Sequence, residues 1–479
     1  MSDHPAAPAP SGEVDTLPDG IRILPATRLA GTLTPTLAAA VDELHLAAVL
    51  ESRGLTDQIA RDEYGCDDVF SLAVDVADHL PSRPDGDART IPRPPRHPAL
   101  RSLVHGPLYI MPSAVYPAVW VAIGGVATLH GMLLATALSW VWGMGTSAVA
   151  YQLLGQGRAR SAARSLRMLS LAGLSVALVG ATTLALIGTG GPGMVAFVMA
   201  LVAFQLISGV LVFYGKEWWL GLMMLPAFGA GVLNLAHSTS DALVRPTLIA
   251  AAGSVALILG GAWIASTRSE PPDPTSTGTY SRTLVGAAPS ISYAVLCAVF
   301  LLFTDSRYLS SHFDLAIAAA PLILGMGAVE WRAHRFTEAV DDLLCHSGEA
   351  GQFRLGAWRL LLHELSICLL VLGALGVALL GLLLRFGWLT LSGAMLVDAH
   401  ILLGGAFFLG FVLARHQRFP WLLGILATVV AVNVLLVFTA ADTFSPNGEI
   451  PIFLGSTLAL LVLLTFAFKV SLGRIYTYR

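Results

Sequence analysis

Lysine is all but missing from this 479-residue chain, which holds only Lys216 and Lys469. Charge of either sign is scarce, at 12% of residues, and there are four cysteines. Each scarcity excludes a class of protein. So little charge beside 55% hydrophobic residues and a mean hydropathy of +0.71 lies outside the range of soluble globular domains. A net charge of -3, with the basic residues dispersed along the chain, supplies no electrostatic footprint for nucleic acid. Cys66, Cys297, Cys345 and Cys368 form no CxxC pair and keep no zinc spacing to histidine, so neither a metal site nor a cofactor is expected. No GxxxxGK[ST] phosphate cradle occurs, which excludes a built-in ATPase, and no catalytic signature points to an enzyme.

What the chain does have is a nearly continuous apolar block from about residue 108 to 472, broken once by the polar seam STRSEPPDPTSTGTYSR at 266–282. A bilayer's hydrocarbon core, about 30 Å thick, takes roughly 20 residues of helix. On that measure each side of the seam divides into six segments. They lie near 109–130, 132–154, 168–190, 194–214, 218–237 and 246–265, then 284–304, 312–331, 358–384, 388–414, 420–440 and 451–471. The fold class is therefore an all-α integral membrane protein of about twelve spans in two six-helix bundles, 108–265 and 284–472, joined by a linker at 266–283. The break between the first two spans is set at His130-Gly131, the polar pair between them.

Ahead of the block, residues 1–35 are rich in Pro, Ala, Gly and Asp and carry no apolar signal-peptide core, so a disordered tail is expected. Residues 36–80 alternate at helical spacing and predict a small acidic helical module on the cytoplasmic side. Gly54 and Gly65 sit where helices should end, and Thr56 and Asp67 where they should begin. A Pro/Arg-rich linker, 81–107, leads into the membrane, and 473–479 form a short tail.

Short loops rich in arginine stay in the cytoplasm. With the N-terminus inside, the inner loops hold Arg158, Arg160, Arg164, Arg167, Lys216, Arg268, Arg282, Arg332, Arg335, Arg354, Arg359, Arg415 and Arg418, against Arg245, Arg307 and Arg385 outside. Both termini are then cytoplasmic in a bacterial inner membrane. Residues 332–359 predict an amphipathic helix lying on that inner face.

Polar residues inside spans mark candidate sites, because ionisable groups at membrane depth are costly. Asp398 and His400 in the tenth segment, with Gln205, Asn234 and Asn433, form the candidate substrate or ion pathway. Asp398 is expected to face a central cavity and change protonation. Trp140 and Trp142 fall mid-span, where aromatic faces can stack on sugars or simply pack. Arg158, Arg160, Arg164 and Arg167 form a basic loop suited to holding topology or to drawing an anionic headgroup from the inner leaflet.

That loop carries a resemblance. The stretch TSAVAYQLLGQGRARSAARSLR, Thr146–Arg167, resembles the segment after the second helix in polysaccharide exporters and lipid-linked oligosaccharide flippases, members of the multidrug/oligosaccharidyl-lipid/polysaccharide exporter superfamily. EWRAHRFTEAVDDLL, Glu330–Leu344, takes the equivalent place in the second half. The resemblance implies export of a glycan or lipid-linked saccharide by alternating access, with membrane lipid and that substrate as partners. The Gly-x-x-x-Asp-Arg-x-Gly-Arg loop of major-facilitator carriers is absent. The alternative from another class is a non-transporting scaffold, whose N-terminal module recruits a cytoplasmic glycosyltransferase or other glycan-synthesis protein.

Overall fold

The computed structural model describes residues 43–52, 54–79, 99–188, 190–237, 240–267, 280–308, 313–346, 350–444 and 448–471, and every regular element among them is a helix. The expected tail at 1–35, most of the linker, most of the seam and the 473–479 tail lie outside the described residues. Two compact units divide the chain at Pro95.

The first unit is a cluster of three helices, Glu43–Ser52, Asp57–Tyr64 and Val69–His79. Leu46, Leu50, Val69, Leu72 and Val76 bury completely between them. Thr56 caps the middle helix by accepting from the Ile59 amide at 3.4 Å, and Gly65 ends it in the left-handed conformation at φ 72°. The third helix starts one residue later than expected, because Asp68 rather than Asp67 accepts from the Ser71 amide at 2.7 Å. That bond holds the Asp68 carboxyl below its ordinary range. Burial, then the nearby Asp75, Asp67 and Asp68 charges, push the Cys66 thiol up.

The second unit is a multi-pass membrane protein. Among the described residues twelve helices are long and apolar enough to cross a bilayer: Arg101–Ile123, Gly125–Gly155, Ala159–Leu186, Gly191–Phe213, Glu217–Ala236, Asp241–Ser266, Thr283–Arg307, Asp314–Leu344, Gly351–Arg385, Leu391–Arg415, Phe419–Thr439 and Glu449–Val470. Spans one to six pack together as a first bundle and spans seven to twelve as a second.

Two expectations are corrected. The first two spans part at Gly124, whose φ of 85° and ψ of 155° suit glycine, while His130 and Gly131 lie inside the second helix. A polar pair does not interrupt a helix whose backbone bonds are intact; a backbone turn does. Residues 332–359 are no separate surface helix, since the eighth span runs unbroken to the inner-loop residues and the ninth begins at Ala350. Phe336 and Val340 are fully buried, so that extension packs as core rather than on a headgroup layer.

The first span is broken into His105–Ile110, a 3-10 turn Met111–Val115 and Tyr116–Ile123, with Pro112 and Pro117 each removing an amide donor. Pro226 kinks the fifth span beside it. The sixth span compensates: Ser254 Oγ accepts from the Ala227 amide at 3.2 Å, and Thr247 donates to the Ala230 carbonyl at 3.2 Å. Kinks at membrane depth persist only where side chains re-satisfy the backbone in this way.

Candidate functional site

Three places in the membrane unit bring polar or hollow features together. The first is a cavity of about 290 Å³ inside the first bundle, walled by the broken first span and by spans four, five and six. Val115, Phe197, Phe204, Met224, Leu248 and Val255 are among its lining residues. Tyr116 also lines it and packs edge-on to Phe197, 6.0 Å between centroids. The wall carries no charged side chain and is almost wholly apolar, so it fits an apolar moiety.

The second place is an ionisable pair in the second bundle. His400 is fully buried; its Nδ1 lies 2.7 Å from the Leu396 carbonyl and its Nε2 3.4 Å from Asp305 Oδ2. The Phe453 ring stands 5.9 Å from the imidazole. Asp305 Oδ1 and the neighbouring Thr304 hydroxyl are buried without a partner within the chain. Asp305 escaped the sequence reading because TDSRYLSSH reads as an outer loop, yet the seventh helix continues to Tyr308. An Asp followed by three more helical residues could have been found only from its histidine partner.

The third place joins the bundles. His105 Nδ1 lies 2.7 Å from Glu330 Oε2 of the eighth span, and its Nε2 stands 4.0 Å from Glu217 Oε1 of the fifth. Arg101 donates to the same Glu217 oxygen at 2.6 Å. Gly106 abuts the Leu324 carbonyl and Gly327 the Ser102 carbonyl, so two backbones meet where a Cβ would overlap. Further contacts between bundles run along the second and seventh spans, Gln152 against Gly286 and Ile291 against Gly145, and Trp140 meets Phe407 edge-on at 6.0 Å. The His105, Gly106, Gln152 and Gly286 contacts lie toward the arginine-bearing end, and Trp140 meets Phe407 nearer mid-span.

The other sequence candidates scatter. Asp398 is exposed, seven residues into the tenth span or about 10 Å along it. It is nine residues from Phe407, about half a turn round the helix from the side that meets the first bundle. The apolar residues of this helix take the packed faces. Trp142 donates to the Leu169 carbonyl at 2.7 Å and fills the notch at Gly173. Trp140 likewise packs rather than presenting a free face. Asn234 and Asn433 are buried with neither amide atom hydrogen-bonded within the chain, and Gln205 Oε1 is likewise unbonded. Gln205 and Asn234 belong to the first bundle and Asn433 to the second. Arg160 and Arg164 are exposed and Arg158 and Arg167 half-buried, around the first turns of the third span.

Proline-bearing helices round a cavity in one bundle, an ionisable pair in the other and a junction at one end define a twelve-span, two-bundle membrane fold. Its likeness among solved structures is to MATE transporters. An outward-facing multidrug resistance MATE family transporter of the MOP superfamily aligns with a TM-score of 0.51 at 16% identity, over 78% of this chain and 96% of that one. A MATE in the bent conformation gives 0.49 at 15% identity over 79% and 94%, and an inward-facing MATE family transporter 0.43 at 14% over 80% and 98%. No family model and no curated protein sequence matches the chain.

Proposed function

We propose that this protein is an exporter that works by alternating access and moves a lipid-linked saccharide from the inner to the outer leaflet of a bacterial inner membrane. The observation that carries the reading is the apolar cavity walled by kinked spans in the first bundle, while the bundles meet at the arginine-bearing end. The cavity suits the lipid portion of such a molecule. Its phosphate is matched by Arg160, Arg164 and Arg167. Cations in the first turns of a helix oppose its dipole by about 0.3–1 kcal/mol each, so these arginines do not serve helix stability. By the positive-inside rule the closed end is cytoplasmic, both termini lie on that side, and this state is open outward. The Asp305–His400 pair is the candidate for the coupling ion, in place of Asp398.

Flipping by the purified protein in vesicles that contain a fluorescent lipid-linked saccharide tests this, with a membrane-impermeant quencher reading the outer leaflet. The reading predicts exchange well above protein-free vesicles. Exchange equal to protein-free vesicles would remove it. One observation favours the scaffold alternative: Phe70 and Val74, 50% and 44% exposed, give the N-terminal unit an uncovered apolar face. Under that alternative, loss of the unit abolishes glycan synthesis in cells, and the full-length protein flips no faster than protein-free vesicles.

A further inference from the structure

The junction at the arginine-bearing end joins the bundles chiefly by backbone contact, at Gly106 with Leu324 and Gly327 with Ser102. Such contacts bring two helices together without making a polar bond between them. The side-chain bond at that crossing is His105 Nδ1 to Glu330 Oε2, at 2.7 Å. His105 itself is buried, and its Nε2 makes no hydrogen bond within the chain although Glu217 lies 4.0 Å away. We propose that His105 is a proton-operated latch: with a proton on both ring nitrogens it holds Glu330 of the second bundle against Glu217 and Arg101 of the first, and on losing one it releases that end. The proposal rests on the alternating-access reading and adds to it the ligand, a proton, and the place where it acts.

The charge count supports it. Arg101, Glu217 and Glu330 sum to one negative charge, which an imidazolium neutralises and a neutral imidazole does not. The imidazolium has a donor for each carboxylate. A neutral ring that donates to Glu330 turns a lone pair toward the Glu217 oxygen, and like-signed density in a water-poor site repels. The other titratable groups facing the cluster are Tyr109, whose ring centroid is 5.9 Å from His105, and Tyr151 of the second span. Both are phenols that stay neutral across the range in which a histidine titrates. At the same end of the molecule, burial and then Arg415 and Arg418 push His416 below the ordinary imidazole value.

Spin labels attached through an introduced keto amino acid at Gln156→X and Gln417→X, exposed positions of the two bundles at that end, read the separation and leave the native cysteines in place. Between about pH 5 and about pH 8, where imidazole titrates, the reconstituted protein should pass from one short distance to a mixture with a longer one. His105→Gln should show the same mixture at both pH values, and a change at the exposed His363, His363→Gln, should keep the full pH response. A pH response undiminished in His105→Gln, or abolished in His363→Gln instead, overturns the latch. Should His105→Gln fail to fold, Glu330→Gln carries the same expectation. A single distance at every pH in the unaltered protein also overturns the latch; if Glu330→Ala shows that single distance too, the rocking of the bundles falls with it.

Discussion

The two bundles have the same number of spans and opposite interiors. The second has one continuous core, in which Phe300, Phe336, Phe408, Phe453 and Phe468 are buried to within 2% and interlock edge to face. Several of its charged groups are paired: Arg332 with Glu364 at 2.8 Å, Arg307 with Glu449, and Asp314 accepting from the Thr390 amide at 2.9 Å at the start of the tenth span. The first bundle splits into three smaller cores around a cavity, its first span broken at a 3-10 turn and prolines inside its fifth and sixth, as Pro289 lies inside the seventh. Equal span counts therefore do not mean equal interiors. A bundle with paired charges and interdigitated rings suits a fixed body, and a hollow one with broken helices suits the part that holds and releases a cargo.

The comparison can be broken most forcefully in the second bundle. Glu364→Ala leaves Arg332 and Arg335 without their carboxylate, and the expected loss is about 3–5 kcal/mol in reversible unfolding from mixed micelles. A loss below about 1 kcal/mol would mean that this bundle does not depend on its buried pairs. Phe408→Ala, at a fully buried ring, should cost about 3–5 kcal/mol on the same scale. Filling the first bundle should do the reverse: Ala200→Phe, on the cavity wall, leaves stability within about 1 kcal/mol and abolishes flipping. Stability lost with flipping intact would show the hollow to be a packing gap rather than a compartment. Ser254→Ala, which strands the Ala227 amide at the kink, should cost about 0.6 kcal/mol. Asp398→Asn should change neither stability nor flipping, since that side chain is exposed away from the junction.

The sequence made the twelve spans and their division into halves legible, because bilayer thickness sets a length that hydropathy reads directly. It misread what depends on partners. Asp305, Glu217 and Glu330 look like loop markers one at a time, and each joins a helix only because a histidine or arginine more than 90 positions away meets it. Arg332 and Arg335 suggested a surface helix for the same reason, when Glu364 keeps them against a helix that continues past the bilayer. The Gly124 break went unseen because a left-handed backbone has no hydropathy. Asp398 and His400, two apart and so on different helix faces, are legible in sequence as separate sides of one helix, but not which is exposed, Asp398, and which buried, His400.

The central claim is that the apolar cavity of the first bundle holds the lipid portion of the cargo. It is tested most directly by photocrosslinking a lipid-linked saccharide that carries a diazirine in its lipid to the reconstituted protein, then mapping the adducts. Adducts should fall on cavity residues such as Phe197, Phe204 and Leu248 and vanish in Ala200→Phe. Adducts confined to the outer face of the ninth span, at Leu370 and Val377, and unchanged by that substitution would contradict the account.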